Sequence, residues 1–134
     1  MEEVYEKFME LYTKGVASLK AGDPFDPETT LAPLSSAAAA EEVREKIREA
    51  VKHGATAIEV GPKVPSKGAF VQPTILTNLT AENPAYYWEF FGPVSMIFKA
   101  QDEQDAVNIA NDSPFGLGGS VFTADEKRGS EVAK

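Results

Sequence analysis

Helical and extended segments alternate along this sequence, and that order restricts the chain to α/β architectures. Apolar residues recur at helical spacing from Val4 to Lys20 and again from about Ser36 to His53, whereas Ala55–Val60 alternates as a strand does. The same patterns predict five further elements: extended runs at Ala69–Leu76, Val94–Ala100 and Gly118–Thr123, a short helix from Asp102 to about Asn111, and a final helix that opens at Asp125 and is unfinished at Lys134. We expect an α/β fold with a partly parallel sheet.

Local breakers and caps predict where these elements end. Gly22 and Pro24 stop the first helix, Ser35 or Ser36 can cap the second, and Gly54 can end it. Pro73 cannot donate to a β-ladder, which puts its segment at a sheet edge or at an interruption.

Length, composition and charge describe one ordinary domain over residues 1–134. The chain has 43% hydrophobic and 25% charged residues, as soluble proteins do. Its net charge of −8 disfavours binding to nucleic acid. No apolar run is long enough for a membrane span, and the acidic N-terminus has no signal-peptide character. We therefore expect a cytoplasmic protein.

The sequence lacks most familiar catalytic machinery. It contains no cysteine and one histidine, His53. Disulfides, thiolate chemistry and zinc sites built on cysteine or paired histidine are therefore excluded. A serine nucleophile is not predicted either, because Ser35, Ser36 and Ser66 have no candidate base nearby in the sequence. From these residues we predict no catalytic residue and no metal site.

Four motifs, in register along the whole chain, resemble the NAD(P)-dependent aldehyde dehydrogenase family. They are Leu19–Pro24 with Asp26–Thr29, Gly68–Leu76, Glu89–Val94, and Ala110–Leu117 with its extension to Asp125. The sequence is most similar to bacterial succinate-semialdehyde dehydrogenases, through Glu89–Pro93, Ala32–Ser35 and Asn83–Tyr86. The resemblance implies a fragment of the catalytic domain, about a quarter to a third of a family member. The Rossmann cofactor domain, the catalytic glutamate and the catalytic cysteine are expected outside it.

The resemblance also implies two cofactor-binding residues. Glu89 matches the glutamate that accepts hydrogen bonds from the nicotinamide ribose, a task suited to a carboxylate because its two oxygens can take a vicinal diol. Phe91 matches the aromatic residue beside the nicotinamide ring. Each has a structural alternative: Glu89 as an exposed carboxylate without a partner, and Phe91 as a core residue beside Trp88 and Phe90. Gly92 and Pro93 are interpreted as structural residues of the turn.

The parent enzyme implied by the resemblance oxidises a small aldehyde, such as succinate semialdehyde, to a carboxylic acid. A cysteine thiolate attacks the aldehyde, hydride passes to NAD or NADP, and water releases the acid. We expect the parent to be a homo-oligomer, and we expect this chain alone to be inactive and to bind no cofactor tightly. The alternative is a free-standing, non-enzymatic α/β module that binds a partner or a small ligand, favoured by the absence of a complete catalytic set.

Overall fold

The computed structural model describes residues 2–66 and 68–134, and Met1 and Lys67 lie outside the described residues. The helices and strands of the described residues are, in chain order, α1 (Glu2–Ala17), α2 (Ala37–Lys52), β1 (Thr56–Glu59), β2 (Thr74–Thr77), a 3-10 helix (Pro84–Tyr87), β3 (Val94–Met96), α3 (Glu103–Asn111) and α4 (Glu126–Val132). Residues 2–99 form one compact unit and residues 100–134 another. The single domain expected over residues 1–134 stays a prediction.

The sheet has the order β1-β2-β3 and is partly parallel. β1 pairs with β2 antiparallel, with Thr56 opposite Thr77, and β2 pairs with β3 parallel, with Thr74 opposite Val94. All four residues of β2 are buried, as expected for a central strand covered on both faces. The α/β fold class with a partly parallel sheet is therefore confirmed.

The strand pairing decides between the two places expected for Pro73. Pro73 directly precedes the central strand β2, so it marks an interruption at the start of that strand and not a sheet edge. Its carbonyl accepts from the amide of Val60 at 2.9 Å, and the carbonyl of Val60, which Pro73 cannot serve, accepts from the side-chain amide of Gln72 at 2.7 Å.

Helix α2 carries the apolar stripe that covers the sheet. Its N-cap is Ser36, whose hydroxyl accepts from the amide of Ala39 at 3.0 Å. Gly54 follows its C-cap with a φ of +102°, a conformation that favours glycine. The predicted apolar stripe comprises Ala40, Val43, Ile47, Ala50 and Val51. Ala40, Val43 and Ala50 are buried and Ile47 is half-buried, whereas Val51 is exposed; the predicted ends of the helix are confirmed.

Five predicted elements differ from the structure. α1 ends at Ala17, before the expected Lys20 and the breakers Gly22 and Pro24, and the extended run Ala69–Leu76 is replaced by a strand from Thr74 to Thr77. Gly118–Thr123 is not a strand: these residues are exposed and pair with no other strand in residues 2–66 and 68–134. Because a strand exists only through hydrogen bonds to a neighbour, the sequence of this segment alone does not form it. β3 ends at Met96 instead of Ala100, and α4 ends at Val132 instead of continuing through Lys134.

Within the described part of the chain, no helix combines the length and apolar character needed to cross a lipid bilayer.

Candidate functional site

The candidate site is the loop of residues 88–93, which connects the 3-10 helix to β3. The loop starts in an extended conformation, with Trp88 at φ −98° and ψ 150°. Trp88 and Phe90 pack against the hydrophobic core, whereas Glu89 and Phe91 are exposed. This alternation is typical of extended backbone, in which successive side chains point to opposite sides. The two inward aromatic rings thus anchor a loop that presents a carboxylate and a phenyl ring to solvent.

The carboxylate of Glu89 is available to a ligand. Among residues 2–66 and 68–134 it has neither a hydrogen-bond partner nor an ion-pair partner, although the backbone carbonyl of the same residue accepts from Lys46 Nζ at 3.3 Å. An ionised carboxylate has two acceptor oxygens and can take two hydroxyl donors at once. The sequence allowed two interpretations of Glu89, a ribose-binding carboxylate and an exposed carboxylate without a partner. Both require an exposed side chain.

Phe91 is exposed over 75% of its surface. The interpretation of Phe91 as a core residue is therefore wrong for this chain. Phe90 takes the core place instead, since its ring packs against both core clusters, one around Leu76 and Ala85 and the other around Val43 and Val71. A flat apolar ring that the chain itself leaves uncovered is suited to stack against a planar ligand. The binding roles of Glu89 and Phe91 stay predictions.

Gly92 and Pro93 hold the end of the loop against α2 and β2. A Cβ atom at Gly92 would lie 3.2 and 3.3 Å from the two methyl groups of Val43, so the backbone approaches α2 more closely than a larger residue allows. The carbonyl of Pro93 accepts from the amide of Thr74 at 3.0 Å. These contacts agree with the structural role that the sequence suggested for both residues.

Asn83 holds the other end of the loop, through the 3-10 helix. It is 1% exposed, and its side-chain amide donates to the carbonyls of Ala50 at 2.9 Å and His53 at 3.3 Å. Its side-chain oxygen accepts from the amide of Ala85 at 3.0 Å and so caps the 3-10 helix. This role of Asn83 was not predicted from the sequence, although Asn before Pro at a helix start is a capping signal.

A half-buried polar contact lies between α1 and β3. A cavity of about 230 Å³ there is lined by Tyr12 of α1, Thr74 of β2 and residues 92–95. The hydroxyl of Tyr12 is hydrogen-bonded to that of Ser95, which connects α1 to β3. The Glu89 and Phe91 side chains do not line this cavity.

The exposed face of α2 carries a network of ion pairs. Arg48 and Arg44 hold the carboxylate of Glu41 at 2.7 and 2.9 Å, and these hydrogen bonds, from Arg48 first and Arg44 second, lower the pKa of Glu41 below its ordinary value. Arg44 also donates to the carbonyl of Phe70 at 2.8 Å and so connects α2 to the segment before β2.

Comparison with known proteins matches the whole chain to one family. A sequence model of the aldehyde dehydrogenase family matches residues 1–134. The chain is 40% identical over 134 residues to the succinate-semialdehyde dehydrogenase (NADP(+)) of Deinococcus radiodurans, covering all of this chain and 28% of that protein. It therefore spans little more than a quarter of this relative's length.

Solved structures agree with the sequence match. Succinic semialdehyde dehydrogenase from Streptococcus pyogenes, in complex with NADP+, superimposes with a TM-score of 0.91 and 47% identity, covering 98% of this chain and 29% of that one. An NAD-dependent benzaldehyde dehydrogenase from Corynebacterium glutamicum gives a TM-score of 0.87 and 32% identity, covering 98% and 28%. The resemblance inferred from the four motifs, including that to bacterial succinate-semialdehyde dehydrogenases, is confirmed.

Proposed function

The chain belongs to the aldehyde dehydrogenase family, and on that basis we propose that the full-length protein oxidises an aldehyde to a carboxylic acid with NAD or NADP. This chain contributes one wall of the site for the nicotinamide end of the cofactor. The observation that carries the proposal is the exposed pair formed by the carboxylate of Glu89 and the ring of Phe91.

These two residues fit the cofactor in chemistry and in availability. The two oxygens of Glu89 can accept hydrogen bonds from the vicinal hydroxyls of a ribose, and among the described residues nothing competes for them. The exposed ring of Phe91 offers an apolar surface to the planar nicotinamide. When bound, the nicotinamide supplies the hydride acceptor.

Glu89 and Phe91 act by orientation and not by proton transfer. A ribose held by the carboxylate has less rotational freedom, which favours the nicotinamide face suited to hydride transfer. Trp88 and Phe90 support this role, because their packing against the core restricts the loop that carries both residues.

The nucleophile lies outside this chain. The sequence contains no cysteine, so it cannot form the covalent intermediate that thiolate catalysis needs. We therefore propose that the chain alone is inactive and binds cofactor weakly. Purified chain incubated with succinate semialdehyde and NADP is expected to give no reduced cofactor above a protein-free blank, and measurable turnover would contradict this.

Succinate semialdehyde is the substrate that we propose for the full-length protein. Its support is the similarity to succinate-semialdehyde dehydrogenases at 40% and 47% identity. A cytoplasmic location and a homo-oligomeric assembly belong to the same proposal. The ratio of kcat/KM for succinate semialdehyde and for benzaldehyde in the full-length protein tests the substrate.

The sole tryptophan provides a direct assay of the proposed site. Trp88 adjoins Glu89, and the reduced nicotinamide absorbs where tryptophan emits, so NADPH bound at this loop quenches its fluorescence by energy transfer. We expect Glu89→Gln to weaken NADPH binding about tenfold, since it removes a charge-assisted acceptor.

The matched control is Glu82→Gln, which removes another exposed loop carboxylate and is expected to leave binding unchanged. Equal affinity for wild type and Glu89→Gln would refute the role of the carboxylate. Absence of specific quenching at any NADPH concentration would favour the non-enzymatic module.

A further inference from the structure

We propose that Lys46 of α2 is a positioning residue for the candidate site, acting on Glu89 through its backbone carbonyl. The inference rests on the proposed function for its consequence in cofactor binding, and on the geometry of α2 and the loop for the positioning itself. Neither the sequence motifs nor the similarity to known enzymes assigns a role to this residue.

One face of α2 makes the contacts to the loop. Val43, Lys46 and Ile47 are spaced i, i+3 and i+4, which places them together on the helix surface. Val43 abuts the backbone of Gly92, and Ile47 lies in the same two core clusters as Phe90. Lys46 completes this face with a polar contact, from its ammonium group to the carbonyl of Glu89 at 3.3 Å.

The ammonium group of Lys46 is held in place before any ligand binds. Its side chain is 28% exposed, and its Nζ atom lies 3.1 Å from a carboxylate oxygen of Glu42, one helical turn earlier. A lysine ammonium has three donors, so it can serve Glu42 and the Glu89 carbonyl together. The partial burial of the side chain and the Glu42 carboxylate thus limit the positions that the ammonium can occupy.

A hydrogen bond to the carbonyl of Glu89 fixes the peptide plane between Glu89 and Phe90. Rotation of that plane changes ψ of Glu89 and φ of Phe90, and with them the direction of the Glu89 side chain relative to the anchored Phe90 ring. Lys46 therefore sets the direction of the carboxylate without touching a ligand itself. Its positive charge also lies near the site that we assign to an anionic cofactor.

The test compares three variants of this 134-residue chain by amide nitrogen–proton correlation spectra and by NADPH titration. Lys46→Met keeps an apolar side chain but removes the donor, and it is expected to shift the amide signals of Phe90 and Phe91 and the indole signal of Trp88. Its NADPH affinity is expected to fall about fivefold, the loss of one exposed charge-assisted hydrogen bond. Lys46→Arg retains donors and is expected to restore most of both.

Lys52→Met is the matched control, because it removes another ammonium group of α2, one whose hydrogen bonds go to Glu49 and not to the loop. It is expected to leave the signals of the loop close to those of wild type. Loop signals that are unchanged in Lys46→Met overturn the positioning role, and so do changes that spread evenly through α2, which indicate a general effect on the helix.

The two proposals fail separately in this experiment. If wild type shows no NADPH response at all, the proposed cofactor site is wrong, while the loop signals in the absence of cofactor still decide the role of Lys46. If wild type binds NADPH and Lys46→Met binds it equally well with an unchanged loop, only the role of Lys46 is refuted.

Discussion

Truncation of two adjacent phenylalanines should have very different effects on stability. The ring of Phe90 is half-buried and packs against both core clusters, whereas the ring of Phe91 is 75% exposed. Deletion of a core aromatic ring costs about 3 to 5 kcal/mol. Because Phe90 is not completely buried, we expect Phe90→Ala to lower the free energy of unfolding by about 3 kcal/mol, near the lower end of that range.

The expected loss at Phe91 follows from its exposure. A residue that is 75% exposed retains only a quarter of its surface in contact with the protein. A quarter of the roughly 200 Å² that an aromatic side chain can bury is about 50 Å², which at about 25 cal/mol per Å² corresponds to about 1 kcal/mol. This value is an upper bound, because the unfolded chain also buries part of its apolar surface. Phe91→Ala should therefore cost less than about 1 kcal/mol.

Urea-induced unfolding followed by far-ultraviolet circular dichroism measures both losses. The signal of the helices is preferable to tryptophan fluorescence here, because Trp88 adjoins the substituted positions. Phe25→Ala is the control, since Phe25 is 94% exposed and its truncation should leave the free energy of unfolding unchanged. Equal losses at Phe90 and Phe91, or a larger loss at Phe91, would refute the alternation of inward and outward side chains in the loop.

Three further substitutions test contacts of the site loop and of α2. Asn83→Ala should lower the free energy of unfolding by about 2 to 3 kcal/mol in urea titrations, because two carbonyls and one amide lose a buried partner; a loss within error would contradict the capping role. Gly92→Ala should cost about 1 to 2 kcal/mol by crowding Val43. Its cost should be smaller when Val43 is already replaced by Ala, and equal costs in the two backgrounds would argue against that contact. The pKa of Glu41 is lowered in the folded chain, chiefly by the hydrogen bond from Arg48. Its ion pairs therefore stabilise the fold fully above pH 4.5, the pKa of an unperturbed glutamate, and this stabilisation is lost as the pH falls through the folded pKa. Acid titrations of the unfolding free energy should therefore fall less steeply for Glu41→Gln than for wild type, and parallel curves would refute this.

Local signals in the sequence predicted the helices well. The ends of α2 follow from Ser36 and Gly54, whose capping and left-handed preferences act within one turn of the chain. Asp102 predicts the start of α3 for the same reason, since its carboxylate accepts from the amide of Asp105 at 2.8 Å. Such features require no information about distant residues.

The strands were harder to predict because pairing is not local. The sequence located β1 and β2, but neither their antiparallel register nor the central place of β2 can be derived from alternation. The segment Gly118–Thr123 was also predicted to be a strand and forms none, since no neighbouring strand supplies its hydrogen bonds in the described residues. Strand identity therefore depends on a partner that the sequence pattern does not specify.

The candidate site was predicted in its residues but not in its supports. Family motifs pointed to Glu89 and Phe91. That Phe90 and not Phe91 is buried follows from the extended backbone of the loop, and two adjacent phenylalanines in a sequence do not show which of them is buried. Lys46 lies 43 residues before its contact with Glu89, and no local pattern connects the two. Positioning residues of this kind emerge only from tertiary structure.

Glu89 and Phe91 are proposed to form a surface for the nicotinamide end of the cofactor. A measurement of proton proximity tests this proposal. Nuclear Overhauser effects between the nicotinamide ring protons of NADP and the assigned ring protons of Phe91 can be recorded on the complete chain under weak binding. We expect such effects to the Phe91 ring, together with their loss in Glu89→Gln. Effects that fall only on other residues, or a complete absence of them with NADP in large excess, would contradict the account.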